Sequence, residues 1–111
     1  MRSPRITVPG ANRFTLLVDG RSVSGTLQKL SLTGGCGELG AALQKNTLAN
    51  ISLQTRLGAI TGVVEMLSVV SAQQPLQAFR FVALSDRDHY RLSETLHQMS
   101  RQGLVHALID R

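Results

Sequence analysis

With 111 residues and a formal charge of +5 from 12 Lys and Arg against 7 Asp and Glu, the chain has material for one hydrophobic core and not two. A hydrophobic fraction of 42% beside 17% charged residues excludes the polar, charge-rich composition of a disordered segment. Cys36 is the single cysteine, which excludes an internal disulfide and a thiolate metal cluster and suits a reducing cytoplasm.

Residues 1–12 contain Arg2, Arg5, Pro4, Pro9 and Gly10 and no hydrophobic period, so they are expected to form a flexible basic arm ahead of a domain spanning 13–111. They hold no apolar run of the kind found in a signal peptide. The apolar stretch near 63–70 is broken by Glu65 and Ser68, so neither export nor a membrane span is expected. From residue 14 onward Phe14, Leu16 and Val18 alternate with Thr15, Leu17 and Asp19, the period of a half-buried strand. Asp19-Gly20 follows as a two-residue hairpin turn, both positions tolerating positive φ. In the second strand Val23 and Leu27 share a face while Leu30 and Leu32 fall on the other parity; a β-bulge at Gln28-Lys29 reconciles them.

Thr33-Gly34-Gly35 is expected to be a turn, with further strands at Leu39 to Leu43, Leu48 to Leu53, Leu57 to Val70 and Ala78 to Val82. Residues 39–45 also have helical propensity. Many short strands separated by Gly and Asn point to an antiparallel barrel or sandwich. The last segment changes character: Ser85 precedes Asp86 and Asp88, a helix-start signature, and Leu92, Leu96 and Met99 then recur at helical spacing. Gly103 suits the helix end, giving a helix near 85–102 and an apolar tail from Leu104 to Ile109 that needs cover on the domain or on a partner.

Several chemistries are set aside. The stretch Gly35-Cys36-Gly37-Glu38-Leu39-Gly40 matches the spelling of a dinucleotide fingerprint but lies outside any strand–helix–strand unit. His89, His97 and His106 form no ligand pair at helical spacing, and Cys36 has no histidine beside it in sequence, so neither a metal cofactor nor catalysis is expected. The chain lacks Trp, and Phe14, Phe79 and Phe81 fall at inward parity, which leaves no exposed stacking platform for DNA or RNA.

The remaining pattern is a basic arm followed by a serine-glycine turn. Ten of the twelve basic residues are arginines, the exceptions being Lys29 and Lys45, and the planar guanidinium fork matches phosphates and the guanine edge. Arg2 and Arg5 in the arm, then Lys29-Leu30-Ser31-Leu32-Thr33-Gly34, resemble the two motifs of the PilZ family, R-x-x-x-R and D/N-x-S-x-x-G. The run Ala78 to Ser85 resembles that family's last strand entering its helix. The resemblance covers nearly the whole chain. It implies a six-stranded antiparallel β-barrel with one C-terminal helix, and a non-catalytic cytoplasmic receptor or adaptor that binds the bacterial second messenger cyclic di-GMP and acts on a protein partner, with homo-oligomers an option. Arg5, Ser31 and Gly34 match the family pattern. Met1 stands where the first arginine belongs, with Arg2 one residue out of register. Lys29 stands where an Asp or Asn would accept hydrogen bonds from guanine, and an ammonium accepts none. The alternative is a domain of the same fold that has lost the messenger and serves as an interaction module.

Overall fold

In the computed structural model residues 6–55, 57–71 and 75–101 are described, with side chains from residue 13 onward, those of 71, 100 and 101 excepted. Six antiparallel strands, β1 (Ile6–Val18), β2 (Arg21–Leu30), β3 (Gly34–Leu39), β4 (Leu48–Thr55), β5 (Gly58–Ser71) and β6 (Leu76–Leu84), are followed by one helix, α1 (Asp86–Arg101). The strands close into a barrel in the order β1-β2-β3-β6-β5-β4, which removes both sheet edges.

Local chemistry accounts for the best-defined joints. Asp19 and Gly20 take φ of 49° and 78°, the paired positive values of a hairpin turn whose twist matches its strands. The expected bulge falls between Leu27 and Lys29 in the β2–β3 ladder. The extra residue lets Leu27 and Leu30, of opposite parity, both enter the core at 5% and 3% exposure. Around them Phe14, Leu16, Ile51, Ile60, Val64, Met66 and Phe79 fill the barrel.

Two expectations are corrected. The arm was expected to run through Asn12, but β1 begins at Ile6, which pairs with Leu30 as Thr7 does with Lys29. A register shift between Thr7 and Asn12 takes up Pro9, which has no N–H to give to a ladder, and Gly10. Thr33-Gly34-Gly35 is likewise not a turn throughout. β3 starts at Gly34 and ends at Leu39, and residues 40–46 are not strand. Gly34 marks a close approach: a Cβ there would lie 2.2 Å from the Phe79 carbonyl oxygen. The segment after β3 is fastened to the barrel by Gln77, only 1% exposed. Its Oε1 accepts the Leu43 N–H at 2.9 Å and its Nε2 donates to the carbonyls of Leu43 and Leu67 at 2.7 and 2.9 Å.

The helix start is as expected. The Ser85 hydroxyl accepts the Asp88 N–H at 3.1 Å and donates to the Asp88 carboxylate at 2.6 Å, a reciprocal cap. Leu92 and Leu96 are buried and Met99 packs against the same core. Two polar ties hold the helix to β5: Arg91 Nη1 donates to the Ala59 carbonyl at 2.6 Å, and Thr61 N–H donates to Asp88 at 3.3 Å. The Ser85 hydroxyl, aided by the Thr61 amide and the nearby arginines, holds the Asp88 carboxyl below its usual range despite burial. Among the described residues, no helix is long and apolar enough to cross a membrane.

Candidate ligand site

The β2–β3 connection is built around Ser31. Its backbone N–H donates to the Gly34 carbonyl at 2.7 Å. Its hydroxyl reaches the same carbonyl at 3.2 Å, accepts the Thr33 N–H at 3.2 Å and lies 3.1 Å from the Thr33 hydroxyl. Ser31 is therefore buried, at 4% exposure. Its hydroxyl is engaged within the turn, because a side chain this short bonds readily to the backbone groups nearest to it. Gly34 is also buried, pressed against β6 at Phe79 and Arg80. The turn is further tied to β6 by the Phe81 N–H, which donates to the Thr33 carbonyl at 2.8 Å.

Lys29 is half-buried on β2, opposite Cys36 of β3 and Thr7 of β1. Since Leu30 faces the core, pleating directs Lys29 to the outer face. Arg2 and Arg5 lie outside the described residues. The first described residue of β1, Ile6, pairs with Leu30 at the end of β2, one residue before Ser31.

Next to the turn lies an open groove of about 420 Å³. It is lined by Leu32 and Thr33 of the turn, residues 80–84 of β6 and His89 of α1. Sequence reasoning missed this groove. Arg80 was legible as a polar residue between two inward-facing phenylalanines, but nothing local indicated that the turn and the helix would flank it. Phe79 is buried as expected and meets Phe14 and Phe81 at ring-centroid distances of 6.0 and 5.8 Å. Phe81 is only half-buried, its outer surface lining the groove. His89 and His97 are exposed, and among the described residues no group of three His, Cys, Asp or Glu side chains could hold a metal ion.

Arg80 reaches across β6 to Glu65 of β5, its neighbour in register. Nε and Nη2 both approach Glu65 Oε1, at 2.6 and 2.5 Å. The other carboxylate oxygen is taken by Asn46 Nδ2 at 2.8 Å. Asn46 itself sits at φ 73° with its N–H on the Met66 carbonyl. The Asn46 amide, then the Arg80 guanidinium, hold the Glu65 carboxyl below its ordinary range.

No family model matches the sequence, and no curated protein matches it. Solved structures do. The PilZ domain of YcgR from Escherichia coli, solved with c-di-GMP, superposes with a TM-score of 0.75 at 21% identity over 93% of each chain. A structure of YcgR in complex with c-di-GMP, also from Escherichia coli, gives 0.78 at 24% identity, over 93% of this chain and 47% of that one, so the chain spans about half of the YcgR length. The PilZ domain of CeSA from a cellulose-synthesizing bacterium gives 0.64 at 12% identity, over 86% of this chain and 97% of that one. With six antiparallel strands closed into one barrel and a helix following the last, the chain has the PilZ fold.

Proposed function

We propose that the protein is a non-catalytic receptor for cyclic di-GMP, which binds at the β2–β3 turn with the arginines that precede β1 and presents the resulting surface to a protein partner in the cytoplasm. The observation that carries this reading is the pairing of Ile6 with Leu30. It sets the start of β1 beside the end of β2, and Arg5 immediately precedes β1 in sequence as Ser31 immediately follows β2, which supports reading the two motifs as one site. In this reading Arg5 and Arg2 supply charge-assisted bonds to the phosphates and to the guanine edge. Lys29 adds a point charge on the outer face. Ser31 and Gly34 act by shaping the turn, the serine through its bonds to Thr33 and Gly34.

A second reading is favoured by two particular residues. Lys29 offers no acceptor to guanine, and the Ser31 hydroxyl is spent inside the turn; both suit a barrel retained as an interaction module without the messenger. Calorimetric titration with cyclic di-GMP separates the two. Binding by the wild type, its loss in Arg5→Ala, and tightening by about 1–3 kcal/mol in Lys29→Asp, the value of one good base contact, are the expected results. No heat of binding with the wild type would leave the interaction module.

A further inference from the structure

We infer that the groove beside the turn is a subsite for a phosphate-bearing purine nucleotide, that Arg80 is its anion contact, and that Glu65 and Asn46 hold Arg80 in reserve until the ligand arrives. This deepens the receptor reading and rests on it for the identity of the natural ligand.

Three features converge on that chemistry. The groove, about 420 Å³ and open to solvent, is in the volume range of small-molecule sites. Its walls are mixed in the way such a ligand needs. Leu32, Phe81 and Val82 offer an apolar face, with Val82 48% exposed, while Thr33, Arg80 and His89 bring polar groups to the rim and no lining residue is a carboxylate. The groove also opens directly from the turn, because Thr33 belongs to both.

The Glu65–Arg80 pair is arranged to yield. Two guanidinium nitrogens share a single oxygen, Oε1, because Asn46 occupies Oε2. The two-oxygen fork that gives an arginine–carboxylate pair its strength and direction is therefore not formed. The Arg80 side chain is 56% exposed and the Glu65 side chain 17%, so the guanidinium can swing into solvent while the carboxylate stays in place on Asn46. A phosphate in the groove offers the same guanidinium several oxygens at once. Breaking one single-oxygen contact to gain a forked one is a favourable exchange, and Glu65, still bonded to Asn46, keeps a partner afterwards. Glu65 thus lowers ligand affinity through Arg80 alone.

The test uses the full chain and two probes, cyclic di-GMP and GMP, read by calorimetry and by the backbone amide shifts of Thr33, Arg80, Phe81 and His89. With cyclic di-GMP, Arg80→Ala should weaken binding by about tenfold or more and Glu65→Gln should tighten it several-fold. The double variant Glu65→Gln/Arg80→Ala should match Arg80→Ala, since the carboxylate acts only through the arginine. GMP should shift the same amides at higher concentration, and lose those shifts in Arg80→Ala. If cyclic di-GMP binds and Arg5→Ala abolishes it while Arg80→Ala leaves the affinity unchanged, the receptor reading stands and the subsite is overturned. If cyclic di-GMP does not bind but GMP shifts the groove amides in an Arg80-dependent way, the subsite stands and the receptor reading falls. Absence of groove shifts with both probes overturns the subsite.

Discussion

Replacing Gly34 by alanine measures how tightly the motif turn is packed, independently of any ligand. The added Cβ would stand 2.2 Å from the Phe79 carbonyl oxygen and 2.8 Å from the Arg80 Cα. Carbon and oxygen settle at about 3.3 Å or more, so the strands must part by roughly 1 Å. Both obstacles are backbone, and neither can rotate aside. Gly34 faces Arg80 at the first β3–β6 pair, next to the Phe81–Thr33 hydrogen bond of 2.8 Å. Overpacking of this kind costs about 1–3 kcal/mol and one lost hydrogen bond about 1 kcal/mol, together roughly 2–4 kcal/mol. At 4–8 °C per kcal/mol for a domain of this size, that is a fall in melting temperature of about 8–32 °C. Gly40→Ala is the control: nothing lies within 4 Å of a Cβ there, and removing backbone freedom from the unfolded chain should leave stability unchanged or raise it by up to about 1 kcal/mol. Urea unfolding followed by circular dichroism gives both numbers. Equal stability of Gly34→Ala and Gly40→Ala would refute the packing account of the motif glycine.

The helix face and its cap supply two more expectations. Leu92→Ala should cost about 2–5 kcal/mol, since the side chain is fully buried, whereas Glu94→Ala on the outer side should cost under about 0.5 kcal/mol; similar losses from the two would mean that the helix packs on another face. Ser85→Ala removes the cap and should cost about 0.5–2 kcal/mol near neutral pH. Because the folded pKa of Asp88 is lowered chiefly by Ser85, the stabilisation linked to it is complete above the ordinary aspartate value, about 3.9, and is lost as pH falls through the lower folded value. The stability gap between wild type and Ser85→Ala should therefore narrow on acidification below pH of about 4, and a gap constant down to pH of about 2 would remove Asp88 from that linkage.

The elements legible in the sequence are those decided by neighbours in the chain. Asp19-Gly20 needs only two residues able to adopt positive φ. The Ser85–Asp88 cap spans three, and the bulge before Lys29 shows as a slip in parity between Leu27 and Leu30. The misplaced boundaries depend on distant partners. Ile6 is strand because Leu30 is there to receive it, although Pro9 and Gly10 carry every local mark of a loop. Residues 40–46 combine strand and helix propensity and form neither, because the chain is fixed at Leu43 by Gln77, 34 residues away. Such a pairing leaves no trace in hydrophobic period. The groove is illegible for the same reason, since Thr33, Arg80 and His89 come from three elements.

The motif turn shows how far residue identity by itself can indicate a binding function. Ser31 and Gly34 each have a reason to be where they are that involves no ligand: the serine hydroxyl closes the turn on Thr33 and Gly34, and the glycine lets β3 lie against β6. A barrel that had abandoned its messenger would keep both, because losing either costs folding stability. Variants at these positions consequently report on packing first and binding second, and a loss of affinity in Gly34→Ala carries little weight without its unfolding curve. Residues that the barrel does not need are the informative ones. Arg80 is half exposed and paired through a single carboxylate oxygen, and Lys29 sits on the outer face; changing either should leave stability within about 0.5 kcal/mol. Any change in affinity at Lys29 or Arg80 is then free of a folding contribution. Function in this fold is best read from the side chains that stability does not explain.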